Sequence, residues 1–321
     1  MIQEAPFCIQ IEPTEGCNLA CTFCGVQGMR AKAGGPYKFM LPTTAATVAQ
    51  GVAAAGWTAR IEFAMHGEPT LNPQMVEIVE TFRRHLPRNQ LMMTSNGGGL
   101  LKEPEAKITA LFSAGLNILA LDDYDTVNIV PKVLQRIAPT GLGMLVRRYP
   151  QDGLDGSPHR RHPPKTRMIV VLEDIVQATK GGHATLNNHC GAGGPLDNSA
   201  AGKRCAKPFR EMSIRWNGEV ALCCNDFRGA YKCGKLMRPA DLVSVWQGAA
   251  FQAARKRLLE GQRTFTPCEG CNALSTRVGL LPDKLGQHTM EPFTPADAAA
   301  LRKAVAGGAY APIVLRKWEQ I

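Results

Sequence analysis

Apolar residues in the first two-thirds of the chain fall in short, dense runs separated by longer stretches of mixed character. The runs at 7–11, 61–65, 91–94, 117–121, 142–146 and 168–172 read as strands. Between them, 43–55, 73–84, 103–113 and 126–137 read as helices. The second of these opens on a Pro and sets Met75, Ile78, Val79 and Phe82 at helical spacing. Six strands alternating with helices predict parallel βα units, too few for a closed eight-stranded barrel but enough for an open one.

The pattern breaks twice. Residues 149–164 are rich in Gly, Pro and basic side chains and read as a loop, and 191–202 read as a Gly/Asn/Ser-rich linker. Beyond the linker, 211–216 and 219–223 flank Asn217-Gly218, a two-residue hairpin signal. One helix is predicted over 239–260, with Leu242, Val245, Trp246, Phe251 and Leu258 on its buried side. The fold class is α/β: a partial (β/α)6 barrel plus a small C-terminal hairpin-and-helix domain. The expected division is a barrel over 1–190, a linker over 191–202, a small domain over 203–275 and a tail over 276–321.

Composition narrows the function classes. Of 321 residues, 45% are hydrophobic and 20% charged, with 32 Gly and 22 Pro, which fits a globular chain and excludes collagen or a coiled coil. No apolar run approaches membrane-spanning length, and the N-terminus lacks the apolar core of a secretory signal. Eleven cysteines in such a chain point to metal or redox chemistry in a reducing, cytoplasmic setting, the host cytoplasm for a phage-encoded chain. A formal net charge of +10 favours anionic partners.

Cys17, Cys21 and Cys24 form a C-x3-C-x2-C set directly after the first strand. Thiolates suit zinc or iron–sulfur, and structural zinc takes four closed ligands where only three are at hand. A zinc knuckle or scattered buried thiols are the plain alternatives. This loop resembles that of the radical S-adenosylmethionine (SAM) superfamily. The resemblance implies a 4Fe-4S cluster on the three cysteines, with an open iron that chelates SAM. Reductive cleavage then gives a 5′-deoxyadenosyl radical that abstracts hydrogen from substrate, with electrons from a flavodoxin- or ferredoxin-type donor. It also implies SAM contacts. Phe23 would pack near the adenine, or simply in the core. Gly67 and Glu68, in a His66-Gly67-Glu68-Pro69 turn, would receive the methionine amino group. Ser95 and Asn96 would meet the ribose, although a Ser/Asn/Gly turn is also ordinary turn chemistry. Asp122 ends the fourth strand where ribose or substrate contacts fall. Arg147 or Arg148, after the fifth strand, would reach the SAM carboxylate or a substrate phosphate, or stand solvated on the surface. No catalytic residue is assigned.

The C-terminal third holds Cys205, Cys223, Cys224, Cys233, Cys268 and Cys271. Its pattern resembles the SPASM/Twitch auxiliary-cluster domains of radical SAM enzymes, which implies a second 4Fe-4S cluster on Cys205, Cys223, Cys268 and Cys271. Four thiolates also suit zinc. Cys224 reads as a buried thiol, Cys233 has no assigned role, and Cys8 and Cys190 read as core and loop residues.

For the substrate, basic residues bunch at Arg147, Arg148, Arg160, Arg161, Lys165 and Arg167, and again at Lys203, Arg204, Lys207 and Arg210. Lining one face they would track a phosphate backbone; otherwise they form a solvated surface. The first expectation is therefore an isomerase-type rearrangement, a glycyl carbon-to-nitrogen migration on an amino-acid-modified thymidine in DNA. The alternatives are a ribosomal-peptide maturase, a small-molecule dehydrogenase, and a non-catalytic metal-cluster protein that binds nucleic acid.

Overall fold

The computed structural model describes residues 5–26, 36–124, 128–137, 145–149, 167–172 and 187–273, together with 296 and 299. Its centre is a nine-stranded sheet. In chain order the elements of the first part are β1 (Cys8–Ile11), β2 (Thr14–Glu15), β3 (Lys38–Phe39), α1 (Pro42–Ala54), β4 (Arg60–Phe63), α2 (Met75–His85), β5 (Leu91–Ser95), α3 (Pro104–Ser113), β6 (Ile118–Asp122), α4 (Ile129–Ile137), β7 (Leu145–Tyr149) and β8 (Met168–Leu172). The C-terminal part adds α5 (Lys207–Arg210), β9 (Glu211–Ile214), β10 (Glu219–Ala221), β11 (Lys232–Lys235), α6 (Asp241–Trp246) and α7 (Ala249–Leu259). β2 and β3 pair separately as a small antiparallel ribbon. Among the described residues no helix is long and apolar enough to cross a membrane.

The sheet order is β11-β10-β9-β1-β4-β5-β6-β8-β7. Pairing is parallel from β9 to β7 and antiparallel only at β9–β10 and β10–β11. Side chains alternate between two buried layers, as the period of a strand requires. Leu91, Met93, Leu119, Leu121, Ile169 and Val171 pack under the helices in the main core. Met92, Ile118, Ala120, Met168 and Val170 form a second cluster on the other face. Met75, Ile78, Val79 and Phe82 are the buried stripe of α2, and Phe82 meets Phe63 edge-on at 5.2 Å.

Four features differ from the sequence reading. First, β8 lies between β6 and β7, so the last two strands are not in chain order. The composition explains this. β8 is MIVVL, buried at every position, and belongs inside a sheet covered on both faces. β7 is LVRRY, whose paired charges suit an edge. Second, Arg147 and Arg148 lie within β7, opposite Val170 and Val171, and not in a loop after it. Third, the helix expected over 239–260 is two, because Gly248 adopts an extended conformation (φ −69°, ψ 163°) and caps the second. Fourth, the stretch read as a linker is docked: the Asp197 amide donates to the Gly270 carbonyl at 2.9 Å, and Ala200 is fully buried.

The hairpin around Asn217-Gly218 does not stand apart from the barrel. β9 pairs parallel with β1 in register, Cys8 with Glu211 through Ile11 with Ile214, so the C-terminal part extends the same sheet.

Candidate active site at the cysteine loops

Open α/β sheets place ligands beyond the carboxyl ends of their strands. Here that edge carries the loops after β1, β4, β5 and β6. They converge on one cavity lined by Cys17, Leu19, Cys21, Cys24, Val26, Ala64, Gly67, Glu68, Thr94, Ser95, Asn96, Asp122 and Tyr124. Three loops distant in sequence thus bring the three cysteines together with Gly67, Glu68, Ser95, Asn96 and Asp122. Phe23 sits behind this wall, its ring 6.1 Å from that of Tyr124. Arg147 is placed only by its strand position, and Arg160, Arg161 and Lys165 fall outside the described residues.

Gly67 is required by its surroundings. Its φ is +69°, and a Cβ there would stand 2.2 Å from the Thr14 carbonyl and 2.5 Å from that of Gly16. The close approach lets the Glu68 amide donate to the Gly16 carbonyl at 2.7 Å, tying the β4 turn to the start of the cysteine loop. Glu68 itself is a knot. Its carboxylate accepts from the Thr70 amide (2.9 Å) and hydroxyl (2.5 Å), the Ser95 hydroxyl (2.6 Å) and the Asn96 amide (2.7 Å). Burial pushes this carboxyl above its ordinary range, while the four donors pull it back. Ser95 in turn accepts from the Gly97 amide at 2.9 Å. Asn96 donates to Cys17 Sγ at 3.3 Å and to Asn18 at 3.0 Å.

The donor set fits a cationic cluster. All three cysteines are free, and Cys17 Sγ already accepts from two N–H groups, Leu19 and Asn96, each at 3.3 Å. Burial, with the mutual repulsion of the sulfurs, pushes Cys17 up to about 12 and Cys21 up to about 11. Three thiolates coexist in this cavity only with a positive centre among them, which a bound metal cluster provides.

The second cysteine set lies close by. Cys205, Cys223, Cys268 and Cys271 are near enough to raise or lower one another's charge, and none forms a disulfide. The structure adds a fifth member, Cys190, which lies near enough to Cys223 and Cys271 to interact with both. These neighbours, with burial, push Cys190 up, while Cys190 and Arg263 pull Cys271 down. Cys233 is buried near Cys223, and Cys224 is a half-buried thiol that accepts from Lys207 Nζ at 3.1 Å. Lys207 also pairs with Glu211 at 3.2 Å, so this cation faces inward and not toward a polymer.

His66, the departure from the expected Gly-Gly-Glu turn, joins the two regions. Its Nε2 contacts the Cys224 carbonyl at 2.8 Å and its Nδ1 contacts Glu12 at 2.9 Å, with the ring 4.0 Å from Phe227. A carbonyl only accepts, so Nε2 carries a proton and donates it. Arg215 closes the network at 3.5 Å from Glu12 and 2.6 Å from Glu15. On the far side of Phe227 the His189 ring stacks at 4.7 Å, and its Nδ1 accepts from the Gly25 amide at 3.2 Å. Gly25 allows this: a Cβ there would enter the Phe227 ring at 2.7 Å. Sequence reasoning missed Tyr124, His189, Cys190 and Phe227. A cysteine preceded by a histidine, close ahead of the C-terminal set, was the available signal for two of them.

Comparison with known proteins agrees with both halves. Residues 11–133 match the Radical SAM superfamily and 205–272 match the SPASM iron–sulfur cluster-binding domain. The chain is 22% identical over 274 residues to the S-adenosyl-L-methionine-dependent 2-deoxy-scyllo-inosamine dehydrogenase of Niallia circulans, covering 84% of this chain and 94% of that protein. Among solved structures, BtrN in complex with AdoMet and 2-DOIA superposes with a TM-score of 0.63 at 20% identity, over 86% of this chain and 97% of BtrN. BtrN in an open conformation gives 0.56 at 18% identity, over 84% and 94%.

Proposed function

We propose that this chain, a radical SAM enzyme with a C-terminal SPASM domain, is a dehydrogenase that oxidises one carbinol of a small polyhydroxylated substrate of the aminocyclitol class. Radical SAM and SPASM domains use SAM and iron–sulfur clusters, and the enzyme draws its electrons from an external donor. Cys17, Cys21 and Cys24 would hold the first cluster, and Cys205, Cys223, Cys268 and Cys271 the second. When bound, these groups supply hydrogen-atom abstraction at the first site and a sink for one electron at the second.

The likeness to an aminocyclitol dehydrogenase along 94% of that protein carries the reading. The geometry supports it over a rearrangement. Oxidising a carbinol removes a hydrogen atom from carbon, a proton from oxygen and one further electron. An isomerisation needs no place for that electron. Here a second cysteine site abuts the first, through Gly25, His189 and Phe227. The DNA-isomerase expectation loses its motive in part, because Lys207 is spent on Glu211 and Cys224.

The chain's own residues have distinct tasks in this scheme. Gly67 and Glu68 fix the β4 and β5 loops against the cysteine loop, so that SAM meets a preorganised wall. Tyr124, backed by Phe23, gives that wall an aromatic side. Of the two cavity carboxylates, Glu68 is committed to four donors. Asp122, 3.4 Å from the Tyr124 hydroxyl, is the one we assign to receive the substrate's hydroxyl proton.

The test is anaerobic turnover of the reconstituted protein with SAM, reductant and a panel of aminocyclitols, alongside modified DNA. A product two mass units lighter than its aminocyclitol, formed with 5′-deoxyadenosine, is expected. A product of unchanged mass from DNA, or no product from any cyclitol, would reject the reading.

A further inference from the structure

One register row crosses the face of the sheet opposite the main core. It runs from β9 to β8 through Ser213, Gln10, Glu62, Met92, Ile118 and Met168. Their chain neighbours, such as Ile9, Ile61 and Met212, point into the main core instead. The row changes character halfway. Met92, Ile118 and Met168 belong to a buried apolar cluster. Ser213, Gln10 and Glu62 are polar, yet only 0%, 8% and 4% exposed.

Two of the three polar members lack partners. The Ser213 hydroxyl has none among the described residues, and no hydrogen bond of the Gln10 amide occurs among them. A buried polar group without a partner costs stability, so folding alone favours apolar side chains here, as in the other half of the row. Glu62 differs, since its carboxylate accepts from Arg60 Nε at 2.6 Å. Glu211, one pleat below Ser213, is matched in the same way by Lys207 at 3.2 Å. The polar half therefore offers hydrogen bonds with its charges already balanced, which suits neutral hydroxyls better than a phosphate or a carboxylate.

The row lies just beneath the cavity of the cysteine loops. Ala64 and Thr94 line that cavity and stand two residues beyond Glu62 and Met92 on the same strand faces, a step of roughly 7 Å. Of the two, Ala64 puts only a methyl group between the cavity and the polar half of the row. A cyclitol is two-sided in the matching way, with hydroxyls around its rim and C–H groups on its faces.

We propose that Gln10, with Ser213 beside it, forms the specificity-determining subsite for the substrate's ring hydroxyls remote from the oxidised carbinol, while Met92, Ile118 and Met168 take its C–H face. The inference rests on the reading that the chain oxidises a small polyol.

The test uses the full reconstituted chain with SAM and no reductant. Calorimetry measures its affinity for the cyclitol that turns over and for deoxy analogues, each lacking one ring hydroxyl. The parent should bind at least one analogue about tenfold more weakly, the worth of one hydrogen bond. In Gln10→Leu that analogue and the full cyclitol should bind alike, with SAM affinity unchanged. Ser213→Ala should lose part of the same preference. Because both polar groups lack partners in the free protein, neither variant should lower the urea midpoint of the metal-free chain. A preference kept intact in either variant overturns the proposal. So does a lower urea midpoint in Gln10→Leu, by making Gln10 a structural residue. A parent that binds and turns over no cyclitol defeats the underlying reading and takes the proposal with it, and this shows before any change at 10 or 213.

Discussion

Replacing His66 with Ala tests whether one imidazole ties the barrel to the C-terminal part. The side chain is 3% exposed and the Glu12 carboxyl it meets is fully buried. The variant leaves two groups without their partner, Glu12 Oε1 and the Cys224 carbonyl. Taking away the partner of a buried carboxyl costs about 3–5 kcal/mol. Arg215 still stands 3.5 Å from the other carboxylate oxygen, so the lower end applies. The orphaned carbonyl adds about 1 kcal/mol, the low end for a buried acceptor. The sum is a loss of about 4 kcal/mol, or a fall of roughly 8–16 °C in melting temperature. Urea and thermal unfolding of the metal-free protein, followed by circular dichroism, read it directly. His66→Gln, whose amide can still donate to the carbonyl, should fall between Ala and the parent. A change below about 1 kcal/mol for His66→Ala, or a stabilised His66→Gly, would show that the ring is not the tie.

Changing any one of Cys17, Cys21 or Cys24 to Ala should abolish 5′-deoxyadenosine formation, and removing all three should leave about half the iron of the reconstituted parent; SAM cleavage by a single variant would refute the ligand set. Glu68→Gln turns an amide toward one of four donors, so a buried N–H loses its acceptor at about 2 kcal/mol, readable as a lower urea midpoint, and SAM affinity by calorimetry should weaken. Asp122→Asn should slow turnover at least tenfold with little change in SAM binding, and a rate equal to the parent's would remove Asp122 from the proton-accepting role. Burial, with the nearby His66 and Lys207, lowers His189 to about 4 from 6.5. The unfolded chain therefore takes up a proton first, and stability of the metal-free protein should be full above pH 6.5 and decline toward pH 4, by about 3 kcal/mol in all; His189→Asn should flatten that slope, and an unchanged slope would count against a neutral, buried ring.

What could be read in advance was what local pattern encodes. The apolar runs at 91–94 and 168–172 became β5 and β8 because burial on both faces leaves Leu91–Met93 and Met168–Leu172 without a polar position to blur them. The stripe from Met75 to Phe82 and the turn at Asn217-Gly218 are likewise local signals. The cysteine spacing is local too, so both candidate cluster sets were visible. What escaped depends on contacts between distant segments. That β8 sits inside β7 shows only when the two segments are compared, because MIVVL and LVRRY compete for the interior. His66 looked like a missing glycine until Glu12 and the Cys224 carbonyl gave it partners. Cys190 looked like a loop residue because its company, Cys223 and Cys271, lies far along the chain. The basic excess suggested a polymer, whereas Arg83 and Arg255 spend their donors on buried carbonyls, Arg83 on those of Gly115 and Asn89 and Arg255 on those of Pro208 and Trp246.

The parallel pairing of β9 with β1 also fixes an order of events during synthesis. The two strands are more than two hundred residues apart, and until Glu211–Ile214 leaves the ribosome β1 is a bare sheet edge with open amides and carbonyls. Glu12 likewise waits for Arg215 and Trp216, and Gly25 for Phe227. The loop bearing Cys17, Cys21 and Cys24 is made some two hundred residues ahead of the segments that support it. A nascent chain halted before residue 211 exposes three unprotected thiols beside an unpaired strand, a species prone to oxidation and to misassembly. Folding of the first cysteine loop is thereby coupled to synthesis of the segment that begins the second cysteine set.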